Sequence, residues 1–136
     1  MEMSTSLQAY ECLNAQYNPD SEEVWILALN SQMRLIRKEM LFRGTVDHCL
    51  LHPRDIFRFL VRNNASSFIM AHNHPSDDCL PSEQDLAMTR KIYRLSQVIQ
   101  IPMNDHIILS SDAYFSMADH GYFLKWRKKK SGNWIY

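Results

Sequence analysis

The most informative part of the chain reads Ala71-His72-Asn73-His74-Pro75 and, after a short loop, Pro81-Ser82-Glu83-Gln84-Asp85. The apolar residues 67–71 run directly into the first histidine and predict a buried strand there. Ser82 is a preferred helix N-cap residue, and spaced apolar residues follow it, so a helix is predicted to begin at that point. The segment thus predicts a strand, a loop and a helix start, each carrying polar side chains.

His72 and His74 are two positions apart, which places both imidazoles on the same side of an extended segment. Asp85 lies eleven positions after His74, and the intervening loop is long enough to bring its carboxylate back to the histidines. Two neutral imidazoles and one carboxylate are suitable zinc ligands. Three protein ligands leave the fourth position to water, which is typical of catalytic rather than structural zinc sites.

A zinc hydrolase also needs a general base and a group that stabilises the oxyanion. Glu22 and Glu23 stand directly before the apolar residues 24–29, and either carboxylate is a candidate base. Ser82 lies three residues before Asp85, so both side chains can face the same way in a first helical turn. The serine hydroxyl is therefore a candidate donor to an oxyanion.

Each of these residues also has an ordinary structural interpretation. A pair of hydrogen-bonded histidines can simply end a polar strand. The pattern Ser-x-x-Asp at a helix start resembles a capping box. An acidic residue before a strand is usually solvated, and His106 is interpreted as a strand residue in preference to a partner of the metal ligands.

The order of predicted elements indicates an α/β fold with a single mixed β-sheet and flanking helices. The predicted helices cover residues 7–13, the segment from Pro53 to Asn63, and the segment from Ser82 to about Ile99, with one helical turn at 117–120 that Gly121 closes. The predicted strands cover residues 24–29, 33–42, 46–51, 67–71, 107–109 and 114–115.

Composition bounds the class of protein. The 136 residues are expected to form a single domain, and the 15 Lys+Arg balance the 15 Asp+Glu, so bulk charge predicts no polyanionic partner. Three cysteines without paired spacing favour a reducing compartment, with the cytoplasm as the expected location. No apolar run is long enough to span a membrane, and the polar N-terminus does not resemble a signal peptide.

Residues 125–136 are predicted to form a basic and aromatic C-terminal tail. Its basic residues surround Trp126 and are Lys125, Arg127, Lys128, Lys129 and Lys130. Cations interleaved with aromatic rings can bind phosphates and stack on bases, so this run is the candidate DNA contact. A solvated tail is the ordinary alternative.

The chain resembles the RadC-like branch of the JAB/MPN metallopeptidases, which carry the JAMM motif. The motif is matched by His72-x-His74-Pro75 followed by Ser82-x-x-Asp85. The wider resemblance covers nearly the whole chain and includes Leu41-Phe42-Arg43-Gly44-Thr45-Val46-Asp47, His52-Pro53-Arg54-Asp55, Ala71-His72-Asn73-His74-Pro75-Ser76, Pro81-Ser82, Ile101-Pro102 and Asp105-His106.

This resemblance implies a JAB/MPN fold, akin to that of cytidine deaminases, and zinc-dependent hydrolysis of peptide or isopeptide bonds in a protein or peptide substrate. It implies that His72, His74 and Asp85 bind zinc and that Ser82 helps to polarise the carbonyl. It points to Glu23, rather than Glu22, as the base. The alternative function is that of a DNA-associated accessory protein without hydrolytic activity, because the RadC-like branch carries a DNA-repair label.

The chain departs from the family pattern in two places. Long members carry an N-terminal helix-hairpin-helix region, which we expect this chain to lack. The family loop usually reads His-Pro-Ser-Gly, whereas here Asp77 follows Ser76. Glycine often marks a backbone conformation that other residues resist, although aspartate tolerates it better than most. A zinc deaminase is rejected because the His-x-Glu and Pro-Cys-x-x-Cys signature is missing from the sequence.

Overall fold

A computed structural model describes residues 1–44 and 51–127. Along the chain the elements are α1 (Ser6–Leu13), β1 (Glu22–Leu29), β2 (Leu35–Gly44), α2 (Pro53–Arg62), β3 (Ser67–Asn73), α3 (Glu83–Ile99), β4 (Met103–Leu109), β5 (Tyr114–Ser116) and α4 (Tyr122–Arg127). No helix in the described part of the chain is long and apolar enough to cross a membrane.

The five strands form one sheet in the order β2-β1-β3-β4-β5. The strand β1 is antiparallel to both of its neighbours, whereas β3 and β4 are parallel and are joined through α3. The last strand, β5, is antiparallel to β4. This arrangement confirms the prediction of an α/β fold with a single mixed sheet.

The alternating side chains of the central strands pack into two hydrophobic cores, one on each face of the sheet. Even-numbered side chains such as Val24, Ile26 and Met70 pack beneath α2, α3 and α4. Odd-numbered side chains such as Leu27 and Ile69 pack beneath α1. Because successive side chains of a strand point to opposite faces, the parity of a residue's number determines which core it meets in β1 and β3.

Local sequence sets the ends of the helices. The side chain of His52 caps α2 by accepting a hydrogen bond from the Arg54 backbone N–H, and Pro53 occupies the first turn, where an N–H is not needed. A capping box between Thr5 and Gln8 begins α1. Each fully buried side chain such as Leu60 contributes about 1.5–3 kcal/mol through the hydrophobic effect.

The structure differs from the predicted elements near the C-terminus and around Gly44. The strand β2 includes Gly44, and the strand predicted at 46–51 falls almost wholly outside the described residues. Gly121 does not close a helix but precedes α4, which the sequence did not predict. The helix forms because Phe123 is buried and Trp126 packs against Tyr93.

Candidate metal centre

The two histidines and Asp85 meet where three elements end or begin. His72 is the penultimate residue of β3, and His74 lies just beyond the strand. Asp85 is in the first turn of α3, and Glu22 is the first residue of β1. The strands β1 and β3 are antiparallel, so the start of one adjoins the end of the other.

The ligand atoms of this group are close enough to share one cation. His72 Nε2 lies 3.1 Å from His74 Nε2 and 3.2 Å from an Asp85 carboxylate oxygen. His74 Nε2 lies 2.9 Å from the other Asp85 oxygen. Ligands of a tetrahedral zinc ion are ~3.3 Å apart, so these residues fit such an ion. With Glu22, they form a group that could hold a metal ion.

The orientation of His74 supports the same interpretation. Its Nδ1 lies 2.8 Å from the backbone carbonyl oxygen of Asp78, which can only accept a hydrogen bond. The proton of a neutral His74 is therefore on Nδ1, and Nε2 presents its lone pair to Asp85 and His72. A bare imidazole nitrogen is the form that binds metal.

Asp85 and His74 alter each other's pKa. Burial by itself raises the pKa of Asp85, but the interactions that its carboxylate makes with His72 and His74 when these rings are protonated outweigh burial and hold that pKa well below its usual range. A protonated His74 can donate from Nε2 to Asp85, and this bond raises the pKa of His74 against the opposing effect of burial. Asp85 is thus a carboxylate at neutral pH, and it favours a positive charge next to it, whether proton or metal.

The glutamate that lies beside the histidines and Asp85 is Glu22, whereas the sequence analysis favoured Glu23 for this place. Glu22 is 8% exposed, and its carboxylate lies within 4.8 Å of the ligand atoms of the other three residues. Burial raises its pKa, partly offset by the charges of His72 and His74. Glu23 points to the opposite face because neighbouring side chains of a strand alternate.

Glu23 is instead a buried carboxylate at the centre of a partly exposed hydrogen-bond network. It accepts hydrogen bonds from Arg43 at 2.9 and 2.7 Å, from the indole N–H of Trp25 and from the backbone of Asn18. The Asn73 side chain accepts from the Glu23 backbone N–H. These bonds fix the start of β1 against the end of β3, and so hold Glu22 beside the histidines.

Ser82 is the N-cap of α3. Its Oγ accepts a hydrogen bond from the Asp85 backbone, and its own backbone N–H donates to the Asp85 carboxylate. This is the capping box that the sequence suggested as the structural interpretation. The capping bond uses Oγ as an acceptor, so the hydroxyl proton is still free to be donated in another direction.

His106 lies in β4, as the sequence predicted, and it also contacts a metal-ligand candidate. Its Nε2 lies 2.6 Å from His72 Nδ1, and its Nδ1 lies 2.5 Å from Thr89 Oγ1. Complete burial, together with the nearby charge of His72, keeps the pKa of His106 well below its usual value. His106 and His72 lie on the same face of neighbouring strands. The sequence alone could not predict this contact, because the prediction requires the β3–β4 pairing.

Asp77 occupies a left-handed backbone conformation, with φ of 63°, where the family loop usually has glycine. Its carboxylate accepts hydrogen bonds from the backbone N–H and the hydroxyl of Ser111, at 2.8 and 2.6 Å. These bonds lower the pKa of Asp77. They also tie the loop after His74 to the turn between β4 and β5.

The predicted DNA contacts lie on α4 or outside the described residues. Lys125 and Arg127 are exposed on α4. Residues 125–127 therefore belong to a helix, whereas the sequence predicted a tail over them. Trp126 packs against core aromatic residues, which leaves less of its ring for stacking on bases. Lys128, Lys129 and Lys130 are not among the described residues.

Comparison with known families agrees with this geometry. A family model described as "RadC-like JAB domain" matches residues 3–122. The chain belongs to the RadC-like JAB domain family. Among its relatives, a UPF0758 protein of Actinobacillus pleuropneumoniae is 38% identical over 112 residues, which are 82% of this chain and 51% of the relative.

Two further relatives of this RadC-like JAB domain are also UPF0758 proteins. The one from Thermotoga maritima is 34% identical over 119 residues, covering 88% of this chain and 54% of the relative. The one from Staphylococcus aureus is 38% identical over 102 residues, covering 75% of this chain and 47% of the relative. The chain spans about half the length of the curated relatives it matches.

Proposed function

We propose that this RadC-like JAB domain is a zinc-dependent hydrolase of peptide or isopeptide bonds. The observation that carries the proposal is the convergence of His72, His74 and Asp85, with ligand atoms 2.9–3.2 Å apart, beside the buried carboxylate of Glu22. Two imidazoles and one carboxylate suit zinc better than Mg²⁺ or Ca²⁺, which prefer ligand sets made of oxygen atoms.

His72, His74 and Asp85 would hold the ion through the two Nε2 atoms and the carboxylate. Zinc held in this way supplies a water of pKa about 7 and polarises the scissile carbonyl. Glu22 is the proposed general base, because its carboxylate lies within the reach of one water molecule from the ligands. It would accept a proton on a carboxylate oxygen and later give it to the leaving amine.

The environment of Glu22 suits that role. Burial raises its pKa, and a base works best when its pKa approaches the working pH. Ser82 is the proposed donor to the carbonyl oxygen as negative charge develops there, because its hydroxyl proton is not used by the capping bond. Removing one donor of this kind typically lowers kcat by about 10²–10³-fold.

The test compares zinc-loaded and chelator-treated protein on a peptide library and on peptides joined through a lysine side chain, with cleavage followed by mass spectrometry. We expect zinc-loaded wild type to cleave a subset of these amides and the chelated protein to cleave none. His74→Ala should lose both zinc and cleavage. Cleavage that persists equally in chelated protein and in His74→Ala would contradict the proposal.

A further inference from the structure

A chain of buried polar groups leads from the candidate metal centre into the interior. His72 Nδ1 lies 2.6 Å from His106 Nε2, and His106 Nδ1 lies 2.5 Å from Thr89 Oγ1. Thr89 Oγ1 lies 2.6 Å from the Asp85 carbonyl oxygen. His72 is 1% exposed, and His106 and Thr89 are fully buried. The chain thus begins at one ligand candidate and ends on the backbone of another.

The carbonyl group of Asp85 fixes the direction of every hydrogen bond in the chain. A carbonyl oxygen only accepts, so the Thr89 hydroxyl donates its single proton to it. Thr89 Oγ1 then accepts from His106 Nδ1–H. In a neutral His106 the other nitrogen, Nε2, carries no proton and accepts from His72 Nδ1–H. Each donor is used once, and each proton position follows from the one before it.

These hydrogen bonds determine which nitrogen of His72 is unprotonated at the candidate metal centre. With its proton on Nδ1, a neutral His72 has a bare Nε2, and this atom faces His74 and Asp85. Without these hydrogen bonds, the Asp85 carboxylate would favour the other tautomer of His72, because Nε2–H could donate to that carboxylate across 3.2 Å. The hydrogen bond from His72 to His106 opposes that preference.

We propose that Thr89 and His106 are positioning residues that hold His72 in its Nδ1–H tautomer and so present an unprotonated Nε2 to a divalent cation. The inference rests on the proposed function for the presence of the cation, but the proton positions follow from the protein alone. Thr89 lies one helical turn after Asp85 in α3. The chain therefore also couples the ring orientation of His72 to the helix that carries the third ligand.

The test uses the full chain with Thr89→Val, which removes the hydroxyl at nearly constant volume, and Thr89→Ser, which keeps it. The first measurement is the tautomer of His72 in metal-free protein at pH 8, from ring ¹⁵N chemical shifts. The second is the affinity for Zn²⁺ alone, from competition with a chromophoric chelator. Thermal unfolding of both variants reports any loss of stability.

We expect His72 to be in the Nδ1–H tautomer in wild type and in Thr89→Ser, and we expect these two proteins to have similar affinities for zinc. In Thr89→Val the tautomer should shift toward Nε2–H, and zinc affinity should fall by about 10–100-fold, the usual cost of losing an outer partner of a metal-bound histidine. Wild type with Nε2–H on His72 would overturn the proposal. The proposal would also be overturned if Thr89→Val and Thr89→Ser had the same His72 tautomer and the same affinity for zinc.

The two proposals fail in different ways. If wild type binds no Zn²⁺, the proposed hydrolase fails, and the ¹⁵N shifts still decide whether the hydrogen-bond chain sets the tautomer. If wild type binds Zn²⁺ and Thr89→Ser loses affinity as severely as Thr89→Val, tight packing rather than the hydroxyl governs the site, and the positioning role is contradicted.

Discussion

Glu22 and His72 lie on the same face of the sheet, because Val24, two residues after Glu22, pairs with His72 across β1 and β3. Residues directly opposite each other in an antiparallel pair project to the same side, and residues two apart in a strand do so as well. Glu23 therefore projects to the other face, where Arg43 binds it. One step along the strand separates a candidate base from a structural anchor.

Glu22→Gln and Glu23→Gln form a matched pair that tests this assignment. Glu22→Gln should keep zinc affinity close to wild type while lowering kcat by about 10²–10⁴-fold, because a general base is lost and no ligand is removed. Glu23→Gln should lower the free energy of unfolding by about 1–3 kcal/mol, because it breaks the hydrogen-bonded ion pair between buried Glu23 and half-exposed Arg43, and it should lower kcat far less than Glu22→Gln does. A large loss of zinc affinity in Glu22→Gln would identify Glu22 as a ligand instead.

Much of this site could be predicted from the sequence, but the choice of acidic residue could not. The spacing of His72, His74 and Asp85 was sufficient to predict that these side chains meet, since it needs only a strand, a loop and a helix start. Choosing Glu22 over Glu23 requires the parity of β1 relative to β3, which is set by a pairing across nearly fifty residues of sequence. The contact of His106 with His72 depends on the β3–β4 register in the same way.

The fold shows the same division between local and non-local information. Caps and apolar periodicity located α2 and α3, which begin after His52 and Ser82. The helix α4 was missed because its basic composition suggested a tail, whereas burial of Phe123 against the core decides its conformation. Tertiary packing commonly overrides local propensity in this way.

Asp77 provides a prediction about the metal loop. Asp77→Gly removes the hydrogen bonds to Ser111 but suits the positive φ, whereas Asp77→Ala removes the same bonds and adds backbone strain. Both variants should unfold at lower temperature than wild type, with Asp77→Ala the lower by a few degrees. Equal melting temperatures for the two variants would show that the left-handed conformation is not maintained.

The buried carboxyl group of Asp105 should make the free energy of unfolding depend on pH. Burial raises its pKa to about 6, although Ser116 and two backbone N–H groups donate to it. The folded state therefore holds a proton that the unfolded state releases near pH 4, so stability falls as pH rises from about 4 to about 6. Relative to wild type, Asp105→Asn should gain roughly 3 kcal/mol over this range.

Urea unfolding of metal-free wild type and Asp105→Asn at intervals between pH 4 and pH 7 measures this difference. Groups common to both proteins cancel in the comparison, including those at the metal centre. A difference between the two proteins that does not change with pH would mean that Asp105 is ionised in the folded state at pH 4.

The basic residues near the C-terminus separate the hydrolase from the DNA-associated alternative. Replacing Lys128, Lys129 and Lys130 by alanine should leave amide cleavage unchanged under the hydrolase proposal. Under the DNA-associated hypothesis the same variant should bind DNA more weakly and with a shallower dependence of affinity on salt. Absence of salt-dependent DNA binding by wild type would contradict that hypothesis directly.

The most direct test of the metal centre is anomalous diffraction at the zinc edge from crystals grown with one equivalent of zinc. The account predicts one peak about 2.0–2.2 Å from His72 Nε2, His74 Nε2 and an Asp85 carboxylate oxygen, with Glu22 outside bonding distance and the fourth position held by solvent. A peak bonded to Glu22 as a fourth protein ligand, or no peak between these side chains, would contradict it.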